Sequence, residues 1–280
     1  MTPEEHAAAV RQWREVRDER LRSPDGWLTL VGLYWLEQGE NRLGSDPSSP
    51  IFLPGSGRPA AAGTIVVEGD AARLVDAAPE LRVAGAAAAD GPLADDRSEE
   101  PTVLELGDLR MFVICRGGDR LALRVRDRVA PALEAFTGIQ HFPIDIGWRV
   151  TGRLEPEESD EPMEIVDVTG IVTREASPGR VAFERDGQTW RLRALDGGNG
   201  KLWLVFGDAT NGGETYGGGR FLYTEPVGAD GSVVADFNLA YNPPCVFSPY
   251  ATCPLPAAEN RMPLRIEAGE LLYRAGHPTG

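Results

Sequence analysis

Histidine and cysteine are both scarce in this 280-residue chain, with three of each. His6 and His277 lie near the ends, so His141 is the one imidazole placed mid-chain, and a histidine-rich metal centre is excluded. Cys115, Cys245 and Cys253 make an odd number without C-x-x-C spacing, which argues against a disulfide framework, a redox motif or a zinc knuckle; a local Cys245–Cys253 bridge stays open. No metal and no cofactor is expected. No apolar run approaches the roughly 18 residues of a membrane span. The opening residues are polar and acidic, unlike a secretory leader, so the expected location is the cytoplasm without membrane attachment. A basic surplus is missing too: 43 acidic against 28 basic residues give a formal charge of -15, which argues against a nucleic-acid partner because phosphate contacts need a basic patch. Oligomeric state is not legible.

Glycine and proline are plentiful, at 33 and 22, and they punctuate a β pattern. Thr2-Pro3-Glu4-Glu5 reads as a capped helix start, and Val10, Trp13, Val16 and Leu21 follow at roughly helical spacing before Ser23-Pro24 stops the run. This helix is expected to dock by Trp13. From Trp27 the apolar stretches are short and bounded by turn residues, as are 64–68 and 72–76, 103–106, 109–115 and 121–125. Arg124 and Arg126 end that last strand on one face, which either frames a pocket or, as expected, meets solvent. From Trp148 a meander of strands runs to Phe206, with Asp186-Gly187 and Gly197–Gly200 as hairpin turns. The fold expected is mainly β, an antiparallel β-sandwich or barrel-like arrangement, in three parts: an N-terminal helix (1–23), a β-sandwich (24–130) and a β-rich C-terminal domain (131–280).

The segment 236–267, DFNLAYNPPCVFSPYATCPLPAAENRMPLRIE, concentrates the unusual chemistry. Its prolines remove backbone donors, so 241–256 forms a long loop instead of a helix or inner strand. Phe237, Tyr241, Phe247 and Tyr250 pin it. The glycine stretch 208–220 has neither the G-K-[ST] ending of a phosphate loop nor a dinucleotide fingerprint, and its glycines permit close backbone approach.

The runs GGGRFLYTEPV and DFNLAYNPPCVFSPYATCPLPAAENRMPLRIEAGE, with LRVRDRVAPALEAFTGIQHFPIDIGWRV upstream, resemble a prokaryotic family catalogued as domain of unknown function 1684. The early run GWLTLVGLYWLEQGENRLGSDPSSPIFLP is similar to it as well, so the likeness omits only about residues 64–106. It implies a shared fold and site, and no reaction. The same early run resembles the opening strands of forkhead-associated domains, but Ser45 stands where that family typically has Arg, and 57–63 lacks its Ser-x-x-His. The resemblance therefore implies a scaffold without phosphothreonine recognition.

Two functions follow. In the first, the C-terminal β domain binds a small anionic molecule: Arg220 and Arg261 grip it, Tyr216, Tyr241 and Tyr250 wall the pocket, and Asn238, Asn242 and Asn260 orient it. If the site is catalytic, Cys245 or Cys253 serves as nucleophile with His141 as base, or Asp236 and Glu259 act as an acid–base pair. The structural alternative is that the arginines form ion pairs with Asp236 or Glu259, and that the loop's polar side chains satisfy its own carbonyls. In the second, the forkhead-associated-like half is a non-catalytic surface for a protein partner.

Overall fold

The computed structural model describes residues 1–157 and 161–274; His277 lies outside the described residues. The chain divides into two compact units, Pro24–Glu134 and the pair of segments Met1–Ser23 with Ala135–Gly280.

In Pro24–Glu134 two sheets share one core. One has the order Leu30–Trp35, Arg120–Asp127, Leu109–Arg116, Leu104–Leu106, Arg82–Val83, Ala86–Ala87; the other runs Ile51–Phe52, Gly39–Gly44, Gly63–Glu68, Ala71–Val75, Gly91–Leu93. Every pairing is antiparallel except that of Gly39–Gly44 with Ile51–Phe52. Alternate residues point inward, so Leu43, Ile65, Val67 and Leu74 meet Met111, Val113, Leu121 and Leu123 in a single apolar cluster. Arg124 and Arg126 do not face solvent: they are 5% and 9% exposed. Both guanidinium groups lie over the Trp27 ring, at 5.6 and 5.4 Å, and Arg126 donates to the carbonyls of Asp25 and Gly26. Cation–π attraction and charge-assisted hydrogen bonds offset their desolvation.

The second unit is built on a six-stranded antiparallel sheet in the order Arg220–Tyr223, Leu202–Phe206, Gln188–Asp196, Gly179–Arg185, Arg149–Pro156, Ser232–Asp236. Asp186 and Gly187 both adopt positive φ (53° and 73°), the primed geometry a two-residue hairpin requires. Met163–Val166 and Val172–Glu175 form a separate ribbon. Phe237 fills the centre of the core, its ring 6.2, 5.4 and 5.5 Å from those of Trp148, Phe183 and Phe206.

The N-terminal helix, Pro3–Arg22, starts with the expected capping box between Thr2 and Glu5. It belongs to this unit, although 112 residues of sequence separate Arg22 from Ala135 on the other side of the first unit. His6, Val10, Trp13, Arg17 and Leu21 recur at helical spacing and form the face that packs inward. Among the described residues no helix is long and apolar enough to cross a membrane.

Candidate functional site

The proline-rich segment is ordered against the sheet, and its backbone explains why. After Phe237–Leu239 it makes only single bridges and short 3-10 turns, at Pro244–Val246 and Ala258–Asn260. Met262, Leu264, Ile266 and Ala268 alternate into the core as a strand's residues would. Their backbone meets the chain just past Leu202–Phe206, where the Met262 amide donates to the Gly207 carbonyl and the Leu264 carbonyl accepts from the Ala209 amide (2.9 Å each), while the carbonyls of Ile266 and Ala268 turn to a side chain. Side chains supply the missing donors. Arg220, 0% exposed, donates to the carbonyls of Ile266 (2.9 Å) and Ala268, and pairs with Asp208 at 2.7 Å. Asn260 donates to the carbonyls of Arg193 (2.8 Å) and Val205 (2.9 Å) and accepts from the Arg193 amide. Asn238 bridges both backbone groups of Asp145, and Asn242 donates to the Leu271 carbonyl. Arg220 was expected to grip an anionic ligand; the anion it holds is Asp208, twelve residues earlier in the glycine stretch.

The glycine and proline stretches meet. A Cβ at Gly219 would lie 2.4 Å from Pro256 and 2.6 Å from the Phe206 carbonyl, so only glycine fits there. Tyr216 from the first stretch brings its hydroxyl to 3.6 Å from Cys245 Sγ, while the Cys245 amide donates to Cys253 Sγ at 3.1 Å. No disulfide joins the two cysteines. The hydrogen bond with Cys253, and that with Tyr216 acting against burial, draw the Cys245 thiol down to about 7. Burial and the neighbouring Cys245 push the Tyr216 phenol up.

The remaining candidates are dispersed. His141 bridges Glu270 through the backbone, and burial followed by the nearby Arg14 pushes its imidazole down to about 3, so it is a neutral, weak base at neutral pH. Among the described residues no hydrogen bond joins it to either cysteine of the loop. Glu259 is taken by Arg180 at 2.9 Å and Arg193 at 3.4 Å. Asp236 is held elsewhere, by His6 Nε2 at 2.6 Å and by Asn238, so these two carboxylates do not form a pair. Arg261 is exposed and lacks a carboxylate partner among the described residues; Tyr250 is exposed as well.

Asp236 and Tyr241 do share a hollow. A space of about 200 Å³ lies between the N-terminal helix and the sheet edge, lined by Trp13, Lys201, Tyr223, Glu225, Asp236 and Tyr241. Trp203, Tyr223 and Tyr241 stack in one tier, with ring centroids 6.0 and 6.3 Å apart at 17° and 11°. Trp13 comes to 6.5 Å from Tyr241, and the Arg17 guanidinium lies 4.9 Å over the same ring. Arg17 in turn holds Glu270 (3.0 Å) and the Asn242 carbonyl (3.0 Å), which fixes the helix against the loop. Both carboxylates of the hollow are held by other groups, Asp236 by a hydrogen bond with His6 and Glu225 by an ion pair with Arg149 at 2.6 Å. Lys201, the chain's single lysine, has no carboxylate partner among the described residues. His6 and Lys201 escaped sequence reasoning. The signal for His6 was its place on the helix's apolar face; that for Lys201 was its rarity. Among the described residues no group of three or more His, Cys, Asp or Glu side chains is arranged to hold a metal ion.

Residues 134–271 match the family described as "Protein of unknown function (DUF1684)". This stretch, just under half of the chain, carries that domain. DUF1684 covers the sheet and both loops of the second unit, and the likeness read in residues 26–54 lies outside the match. Among solved structures, an uncharacterized protein from Haloarcula marismortui, determined in solution by NMR, is 30% identical over 49% of this chain and 78% of that one, with a TM-score of 0.41. No curated protein matches.

Proposed function

We propose that this protein binds a small, flat, anionic molecule in the hollow between its N-terminal helix and the sheet edge. One observation carries the reading: a tier of stacked aromatic rings opens into a space of about 200 Å³ where the Lys201 ammonium has no carboxylate partner among the described residues and both neighbouring carboxylates are bonded elsewhere, Asp236 to His6 and Glu225 to Arg149. Aromatic faces favour a planar ligand by stacking and burial. The ammonium favours an anionic substituent, a carboxylate or phosphate, over a neutral one. Lys201 thus takes the role that Arg220 and Arg261 have in the sequence reading. Asp236, polarised by His6, accepts a hydrogen bond from the ligand.

For Pro24–Glu134 we propose a scaffold role. Its resemblance to forkhead-associated domains lacks the anion-binding groups, and the Ser45 hydroxyl donates to the carbonyls of Arg58 (2.9 Å) and Pro59 (3.1 Å) within its own loop. A protein-docking role has no comparable support.

The test is titration of the full chain with aromatic carboxylates and their neutral amides, followed by tryptophan fluorescence and calorimetry. Saturable binding of the acids, lost on removing the charge (Lys201→Met) and weakened about tenfold by removing a ring (Tyr241→Leu), is expected; one good charge-assisted contact is worth about 1.5–3 kcal/mol. Equal binding by wild type and Lys201→Met, or binding by neither acids nor amides, overturns the reading.

A further inference from the structure

We propose that Cys245 and Cys253 form a hydroperoxide-reactive dithiol, in which Cys245 reduces the peroxide and Cys253 resolves the product into an intramolecular disulfide. The site is separate from the aromatic hollow and does not rest on ligand binding there. Three geometric facts support it. Cys245, at the middle of the Pro244–Val246 turn, is partly exposed, whereas Cys253 is 3% exposed. The sulfur of Cys253 sits 3.1 Å from the Cys245 amide nitrogen, within reach of that residue's own side chain. The Tyr216 hydroxyl lies 3.6 Å from Cys245 Sγ. Pro243, Pro244, Pro249 and Pro254 fix the φ angles of both limbs of the loop, which holds the two cysteines close to each other.

The division of labour follows from exposure. A peroxide can meet Cys245 but not Cys253, and a nucleophile must be a thiolate. Tyr216, kept protonated by burial, can turn its hydroxyl to donate to that thiolate, and the hydrogen bonds with Cys253 and Tyr216 draw the Cys245 thiol down to about 7.

In the first step the Cys245 thiolate attacks the terminal oxygen of R–O–OH. An S–O bond forms, the O–O bond breaks, and the alkoxide leaves as R–OH after taking a proton from solvent. Sulfur loses two electrons and the peroxide gains them. In the second step the Cys253 sulfur attacks the sulfenic sulfur of Cys245. The S–S bond forms, and the departing hydroxide leaves as water with the Cys253 proton. Two thiols and one hydroperoxide thus yield a disulfide, an alcohol and water, and a dithiol reductant resets the pair by exchange.

The experiment exposes the full-length protein to hydrogen peroxide and maps its peptides without reduction. A Cys245–Cys253 crosslink should form in proportion to peroxide, with Cys115 unmodified, and dithiothreitol should reverse it. In Cys253→Ser, dimedone should label Cys245 as the trapped sulfenic acid, and Tyr216→Phe should slow oxidation several-fold. Wild-type Cys245 that stays alkylatable after peroxide, or that proceeds to sulfinic acid or an intermolecular disulfide, overturns the proposal. The crosslink is read in the wild-type chain, so it decides the matter even where a variant fails to fold.

Discussion

Replacing Arg220 by methionine should nearly abolish the folded state of the C-terminal unit. The substitution strands a fully buried carboxylate on Asp208, whose other oxygen is already occupied by the Thr210 amide and hydroxyl (2.8 and 2.6 Å). Breaking a buried pair from one side costs about 3–5 kcal/mol. The carbonyls of Ile266 and Ala268 also lose a donor, at about 1–3 kcal/mol for each buried group left unsatisfied. The total, on the order of 5–10 kcal/mol, rivals the whole stability of an ordinary domain, about 5–15 kcal/mol. Adding Asp208→Asn removes the stranded charge and should recover a few kcal/mol. Urea unfolding followed by tryptophan fluorescence reads this directly, since Trp13, Trp148, Trp190 and Trp203 all lie in the affected unit. A cycle of the two single variants and the double isolates the coupling. An Arg220→Met protein within about 1 kcal/mol of wild type, or single-variant costs that simply add, would refute the view that this pair stands in for a missing strand.

Two further outcomes follow from His141 and His6. His141 sits near 3 when folded against 6.5 when unfolded, because burial and Arg14 disfavour its charge; between those values the unfolded chain binds a proton that the folded one does not, so stability falls as pH drops from about 6.5, by at most about 1.4 kcal/mol per pH unit. Comparing wild type with His141→Gln from neutral pH down to about 4.5 should show this difference narrowing as pH falls, and a constant difference would count against it. His6→Ala leaves Asp236 buried without its 2.6 Å partner, at a cost of about 1.5–3 kcal/mol for a charged hydrogen bond, and should loosen the helix; trypsin should then cut faster at Arg11–Arg22 with the rest of the digest unchanged, and an unaltered digest would mean that Arg17 alone secures the helix.

Much of the fold was legible because its signals are local. The capping box at Thr2, the Asp186-Gly187 turn and the alternation in Leu109–Cys115 each depend on residues within a few positions, and each appears as read. The site was less legible because its pairings are long-range. His6 meets Asp236 across 230 residues and Arg17 meets Glu270 across 253. No spacing rule links such positions. Arg124 and Arg126 misled for a related reason: alternation assigns a face, but only the docking of Trp27 decides whether that face is covered.

The same contrast suggests how to read polar residues in a proline-stiffened crossing. Proline removes donors but leaves every carbonyl, and a segment without a strand partner cannot satisfy them through a ladder. The first demand on nearby amides and guanidiniums is therefore structural, and Asn238, Asn242, Asn260 and Arg220 all answer it, each donating to at least one main-chain carbonyl. Residues with no such obligation are the ones available to a ligand or reactant. Here they are Lys201 and Tyr241 at the hollow and Cys245 at the loop's exposed turn. None of the three closes a backbone hydrogen bond through its side chain, so Lys201→Met and Cys245→Ser should alter binding or oxidation while leaving the urea midpoint close to that of wild type, the opposite of what Arg220→Met should do; Tyr241→Leu, which removes a ring packed against Trp13, Phe221 and Tyr223, should lower the midpoint as well.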